Sequence, residues 1–275
     1  MIKKNFTFGK NWLFFIARYV NAQTVSEASR SLINFVGKEN IQGKTFLDIG
    51  CGSGLFSLAA LNLGADKVLS FDMDPDSILA CKRLRRQKGS PKKWQVIRGS
   101  ILDKQFTSKL GRYDLVYAWG VLHHTGKMWI ALDKTLKLVA PKGYLYLAIY
   151  NKATDWKIYA DGRFGTSSFW KKFKECYSRL PFWCQGLIEF WTILGLFSLY
   201  LAKFKNPLAE IKRHPNKHRG MSWRADIRDW LGGYPYEYAS TQEVINFVKV
   251  RGFKLIKMKY NGGLMNNEYL FGRIK

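Results

Sequence analysis

The sequence predicts an α/β fold, a mostly parallel sheet with helices on both faces. Short apolar runs at 45–49, 67–72, 94–98, 113–119 and 144–150 read as buried strands, and helical patterns separate them. Alternation of strand and helix requires crossover connections, and therefore parallel pairing with both sheet faces covered. The glycine-rich stretch Gly50–Gly54, then Asp72, Asp103 and Trp119-Gly120, all fall at the carboxyl ends of these strands. Open α/β sheets bind ligands there, near the point where strand order reverses.

In chain order, Val25, Ala28, Leu32, Phe35 and Val36 recur at helical spacing and give residues 1–42 one apolar face, with Gly37 and Gly43 at the exit. After the first strand and the glycine loop, Leu55–Leu63 reads as a compact helix that Gly64 ends. Asp74-Pro75 opens the next helix, with Asp as N-cap and Pro at the first helical position. A helix is expected over 129–139, a turn at Pro141-Lys142-Gly143, and the fifth strand after it. The alternation stops at Asn151, and residues 151–235 are aromatic, basic and irregular. Ser240-Thr241-Gln242-Glu243 is a capping box that starts a helix running to Arg251, where Gly252 stops it. Strands are expected at 253–260 and 267–274, joined across Gly262-Gly263. The expected division is a helical segment at 1–42, a sheet core at 43–150, a helical lid insertion at 151–235, and a closing helix and hairpin at 236–275.

With 47% apolar residues in 275, the chain can form a packed core and is not a disordered polymer. Lys and Arg number 45 against 20 Asp and Glu, a formal charge of +25. That excess attracts polyanions such as nucleic acid, anionic membrane or acidic glycans, although a lysine-rich surface explains it equally well. Cys51, Cys81, Cys176 and Cys184 form no C-x-x-C pair, which argues against a disulfide framework or zinc site and for a reducing cytoplasm. Met1-Ile2-Lys3-Lys4 begins like a signal peptide, but the apolar run Trp12–Ala17 is too short for one, so no cleaved targeting sequence is expected.

Gly50-Cys51-Gly52-Ser53-Gly54 has the spacing G-x-G-x-G, not the G-x-G-x-x-G of dinucleotide sites, because residue 55 is Leu. Glycines here let backbone come close to a ligand. Asp72, at the end of the second strand, can accept both hydroxyls of a ribose. Asp103 suits the amino group of an adenine, with Met73 and Ile101 as apolar neighbours of the ring. Asp48 can help to hold a cationic amine. In this order and spacing, 47–54, 71–75, 99–103, 113–124 and 139–150 resemble the motifs of class I S-adenosylmethionine-dependent methyltransferases. The resemblance covers about 45–150 and the closing 236–275. It implies a Rossmann-like seven-stranded methyltransferase sheet with an antiparallel C-terminal hairpin, and S-adenosyl-L-methionine as cofactor. The candidate cofactor residues are Asp48, Gly50, Cys51, Gly52, Gly54, Asp72, Met73, Ile101, Asp103, Trp119 and Gly120.

Val121-Leu122-His123-His124, followed by Leu138-Val139-Ala140-Pro141-Lys142-Gly143, is similar to the branch that methylates small molecules and lipids, of which the ubiquinone-type O-methyltransferases are an example. A hydroxyl acceptor needs a general base. His124 is the first candidate and His123 the second, with structural packing as the alternative role. Ala118-Trp119-Gly120-Val121 stands where enzymes acting on exocyclic base amines carry (D/N)-P-P-(Y/F), and no Pro-Cys occurs, so DNA base methylation is not expected. The expected acceptor is a hydroxyl, or amine, of a small, glycan or lipid-linked metabolite. The alternatives are an RNA methyltransferase, favoured by the charge, and a non-catalytic cofactor-binding protein.

Among the remaining features, 182–204 is the most apolar. Between Leu187 and Ala202 the polar residues are Glu189, Thr192 and Ser198, and a helix over that span reaches about 24 Å, short of a bilayer core. A lid helix buried on the sheet is the preferred reading. An interfacial helix contacting anionic membrane, flanked by Arg179, Lys203, Lys205, Lys212 and Arg213, is the alternative. The basic cluster Lys82, Arg83, Arg85, Arg86, Lys88, Lys92 and Lys93 has one aromatic neighbour, Trp94, and reads as a solvated face, not an RNA site. Residues 223–237 could wall the acceptor pocket or form a hinge. His214 and His218 flank Pro215 with no acidic ligand beside them, so no metal is expected.

Overall fold

A computed structural model describes residues 8–159, 162–217 and 223–274; Met1–Lys4 and His218 lie outside the described residues. Two helices come first, α1 (Gly9–Arg18) and α2 (Ala22–Val36), the second capped by the Asn21 side chain. Then β1 (Thr45–Ile49), α3 (Leu55–Asn62), β2 (Lys67–Asp72), α4 (Pro75–Gln87), β3 (Trp94–Arg98), α5 (Lys104–Thr107) and β4 (Tyr113–Trp119) alternate. A short 3-10 turn (Leu122–His124), α6 (Met128–Lys137) and β5 (Val139–Tyr150) follow. Four helices, α7 (Ser167–Arg179), α8 (Phe182–Ala202), α9 (Pro207–Lys217) and α10 (Trp223–Gly232), precede α11 (Thr241–Lys249), β6 (Phe253–Lys259) and β7 (Asn266–Arg273).

The sheet order is β3-β2-β1-β4-β5-β7-β6. The first five strands run parallel, and β7 pairs antiparallel with both β5 and β6. Order reverses between β1 and β4, which puts the crevice above their carboxyl ends. Side chains alternate across the sheet as a period of two demands. Phe46, Val68, Leu115, Tyr117 and Tyr146 join one core with helices α1 to α4, while Leu47, Leu69, Val116, Ala118 and Leu147 join the other with α6 and α11. A third cluster unites Tyr150, Trp170, Tyr177, Leu231 and Tyr236 between the end of β5 and helices α7 and α10. The expected caps form as read. Asp74 accepts from the Asp76 amide with Pro75 at the first helical position, and Ser240 and Glu243 close a full capping box.

Two expectations are corrected. Val139–Tyr150 is one strand, and Pro141-Lys142-Gly143 forms a bulge where the pairing jumps from Tyr113↔Val139 to Leu115↔Tyr144. Lys142 takes a left-handed φ of 60° there, and a Cβ on Gly143 would lie 2.8 Å from the Asp114 carbonyl, so the bulge is built on glycine. Helix α8 is not a buried lid. It runs 21 residues and buries none of them. At about 31 Å it also exceeds the stretch from Leu187 to Ala202 that its composition marks out.

Candidate active site

The site begins with backbone. Gly50 and Cys51 both donate their amides to the Phe71 carbonyl, at 2.8 and 3.1 Å, so the loop after β1 is tied to the end of β2. Gly50, Gly52 and Gly54 have φ of 67°, 51° and 79°, the left-handed region that glycine enters without strain. Their faces meet three different neighbours. A Cβ on Gly50 would lie 2.5 Å from Val121, on Gly52 2.8 Å from the Trp12 ring, and on Gly54 2.5 Å from Cys81 Sγ. The loop is therefore enclosed by the turn after β4, by α1 and by α4. Around Gly120 (φ 73°) the space is open, and a Cβ there would meet nothing within 4 Å.

Asp72 stands beside this loop. Its Oδ2 accepts from the Gly52 amide at 3.1 Å and its Oδ1 from the Asp74 amide at 2.9 Å. Each oxygen keeps a further lone pair for a ligand hydroxyl. Burial raises its pKa to about 6, against the loop and turn amides that favour the anion. Met73 is 58% exposed beside it and Ile101 is buried across the crevice. A carboxylate with spare lone pairs, an apolar shelf and a glycine loop at the switch point fit the ribose, ring and tail of an adenosyl group.

Other expected residues are placed differently. Asp48 is buried, and its carboxylate accepts from Ser57 Oγ, which is joined to Ser70 Oγ, to which Trp94 Nε1 also donates. Through this interior chain Ser57 engages one oxygen of Asp48 and braces β1 against α3. Burial raises its pKa to about 7. Cys51 is buried against Cys81, which with desolvation raises its thiol pKa. Asp103 is exposed and caps α5, accepting from the Gln105 and Phe106 amides with Oδ1. Trp119 turns its Nε1 to Glu268 on β7 at 3.1 Å, along the sheet. The basic cluster on α4 is partly structural, because Arg85 donates to the Trp94 and Pro91 carbonyls at 2.6 and 3.0 Å.

The two histidines diverge. His123 is fully buried with no hydrogen-bond partner for either ring nitrogen, packed on the Tyr150 ring at 4.1 Å. Burial, with His124 and Lys174 nearby, holds its pKa well below 6.5. His124 Nδ1 lies 2.7 Å from the Pro235 carbonyl. A carbonyl only accepts, so the proton is on Nδ1 and Nε2 carries a lone pair. Burial lowers the His124 pKa to about 3. Its ring meets Phe8 at a centroid distance of 5.1 Å, and a Cβ on Gly233 would lie 2.8 Å from its Cε1. The site thus gathers the start of α1, the turn after β4 and the end of α10.

Sequence reasoning missed two parts of this assembly. The first is α1. Its Gly9 amide donates to Asp74 Oδ2 at 2.8 Å, Asn11 Nδ2 to Asp229 Oδ1 at 2.7 Å, and Trp12 covers Gly52. The second is Lys174, wholly buried, with no hydrogen-bond partner for Nζ. Its Nζ sits 4.1 Å from the Trp230 ring centre and 5.1 Å from that of Tyr236. Desolvation, reinforced by Arg163, holds its pKa well below 10.5. An orphaned buried polar group costs about 1–3 kcal/mol. Lys174→Met keeps the stem and removes the amine, so it should raise the free energy of unfolding by about that amount in a urea titration. Loss of stability would instead mean that the cation–π contacts outweigh desolvation.

Residues 21–193 match the family described as methyltransferase domain, and the chain belongs to that family. Solved structures place the fold. The magnesium protoporphyrin IX methyltransferase of Synechocystis PCC 6803, with bound SAH, superposes with a TM-score of 0.52 at 14% identity, over 98% of this chain and 89% of that one. An O-methyltransferase family protein from Burkholderia thailandensis gives 0.54 at 12% identity, over 91% and 55%. Among curated proteins, the ribosomal protein L11 methyltransferase of Vibrio parahaemolyticus is 44% identical over 57 residues, which span 21% of this chain and 19% of that protein. The chain therefore aligns with about a fifth of that relative's length.

Proposed function

We propose that the protein transfers the methyl group of S-adenosylmethionine to a hydroxyl, or amine, of a small, glycan or lipid-linked metabolite in the cytoplasm. The observation that carries this reading is Asp72 hydrogen-bonded to the glycine loop at the reversal of strand order. The bound cofactor would supply an activated methyl on a sulfonium. Asp72 would hold the ribose and Met73 and Ile101 the ring, while the glycine loop 50–54, its amides tied to Phe71, Asp72 and its own turn, would let the tail pass close to backbone. The protein's own work is alignment and exclusion of water, which such a displacement chiefly needs. Trp12 over Gly52 and Phe8 against His124 close the crevice from the α1 side. His124 presents a neutral Nε2 to the acceptor hydroxyl and takes its proton as the new bond forms. Neighbours that carry O-methyltransferase names support a small acceptor, while the short L11 methyltransferase similarity and the charge of +25 support a ribosomal or RNA acceptor.

The test is to incubate the protein with methyl-labelled S-adenosylmethionine and lysate from a strain lacking it. Label is expected in the organic-extractable or small water-soluble fraction. Label released by RNase or held in ribosomal protein would overturn the small-acceptor reading. No label in any fraction, with cofactor bound, would make the protein non-catalytic.

A further inference from the structure

Helix α8 is built inside out for a protein in water. Its two long polar side chains, Gln185 and Glu189, face the protein. Gln185 Nε2 donates to the Tyr177 and Leu180 carbonyls at 3.2 and 3.1 Å, and Glu189 accepts from the Tyr177 hydroxyl at 2.9 Å and pairs with Arg228 at 3.5 Å. The opposite face is bare and apolar except for Ser198, whose hydroxyl donates to the Leu194 carbonyl at 3.1 Å. Trp183, Leu187, Phe190, Trp191, Leu194 and Leu201 are each 44–68% exposed. Residues 183, 187, 190, 194 and 201 follow one another at intervals of 4, 3, 4 and 7, which is a single helical stripe. Exposed apolar patches of this size on monomers mark an interaction surface.

We infer that this face seats α8 in the interface of an anionic lipid bilayer, with the helix lying in the membrane plane. Two observations select that occupant. Glu189 is the one charged residue of α8, and it is turned inward, so the outer face carries none. Both ends are basic, with Arg179 before the helix and Lys203 and Lys205 after it, all exposed, and Phe204 projects between the two lysines. Cations flanking an apolar helical face match anionic headgroups around an acyl boundary. A second copy is the poorer fit. Whether two such helices pair parallel or antiparallel, basic ends meet basic ends, within chains that each carry +25. Length alone would let α8 span a bilayer, but Gln185 and Glu189 tie it along its side to α7 and to Arg228 of α10, and spanning would draw those helices into hydrocarbon.

This surface is independent of the acceptor reading, although it favours the lipid-linked version of it. The test is flotation of the full chain with vesicles of phosphatidylcholine plus phosphatidylglycerol, against vesicles of phosphatidylcholine alone. The double variant L187E/W191E is compared under the same conditions. Both replaced side chains are exposed, so the variant should fold, which circular dichroism and cofactor binding check. Wild type is expected to float with the anionic vesicles, with a drop of about 10-fold or more in the variant and with tryptophan emission shifting to shorter wavelength on binding. Absence of flotation, equal flotation of the variant, or equal binding to neutral vesicles would overturn the inference. So would a concentration-dependent dimer in sedimentation velocity that the same variant abolishes, because the face would then belong to a second copy. Binding is read without any acceptor, so its failure leaves the methyl-transfer reading standing.

Discussion

Asp72→Ala should weaken S-adenosylmethionine binding at least about 100-fold, measured by calorimetry on the purified protein. A hydrogen bond to a charged acceptor contributes about 1.5–3 kcal/mol, and a ribose offers two hydroxyls to this carboxylate, so the loss is about 3 kcal/mol or more. Part of the effect comes through the loop, because Gly52 and Asp74 lose the acceptor that now holds their amides. Asp72→Asn keeps an oxygen in place and should lose less, about 10-fold. The pH dependence follows from the pKa of about 6 in the free protein. Ligand hydroxyls and a sulfonium cation favour the ionised form, so binding lowers that pKa and expels a proton below it. Affinity should therefore be level above pH 6 and fall as the pH drops through 6. Asp72→Asn should abolish that limb. Wild-type affinity in Asp72→Ala would remove the carboxylate from the site and with it the main support for the functional reading.

The strands and the glycine loop were legible because their signals are local. Alternating cores on the two sheet faces, an Asp-Pro helix start and a Ser–Glu capping box each act within a few residues. What failed to show in the sequence depends on contacts across the chain. Asp48 bonds Ser57, nine positions away, which in turn meets Ser70, a buried link that the spacing of the loop does not show. Trp12 covers Gly52 from 40 positions upstream, and nothing around Trp12 marks that destination. For α8 the composition suggested burial, yet hydropathy is the same for a helix in a core and a helix on a membrane. The exposure of Leu187, Phe190 and Trp191 and the inward turn of Gln185 and Glu189 show that α8 is not a core helix. At the β5 bulge the sequence showed a turn, correctly in local conformation, but strand pairing resumes on both sides of it.

His124→Asn should leave cofactor affinity unchanged and lower the rate of methyl transfer about 100-fold or more, the range for loss of a positioned proton acceptor. The substitution is chosen for its geometry. Asn can still donate to the Pro235 carbonyl, now bonded to Nδ1 at 2.7 Å, but it has nothing in place of Nε2. A purely structural histidine would show the reverse, with a lower melting temperature and an unchanged rate per folded molecule. The pH profile separates the roles further. With a pKa of about 3, His124 is neutral throughout pH 5–8, so its lone pair is available across that range. The transfer rate at saturating cofactor should then lack the falling limb near pH 6.5 that a solvated histidine would give. His124→Asn should lower the whole profile by one factor without changing its shape. A limb near 6.5 that vanishes in the variant would mean that the ring is solvated in the working enzyme, with the contacts from Phe8 and Gly233 opened. The low basicity also bears on the acceptor. A weak base can accept a proton only as the new bond forms, so transfer should be faster to acidic hydroxyls, such as phenols, than to aliphatic alcohols. Comparing the two classes in the labelled assay would test that ordering directly.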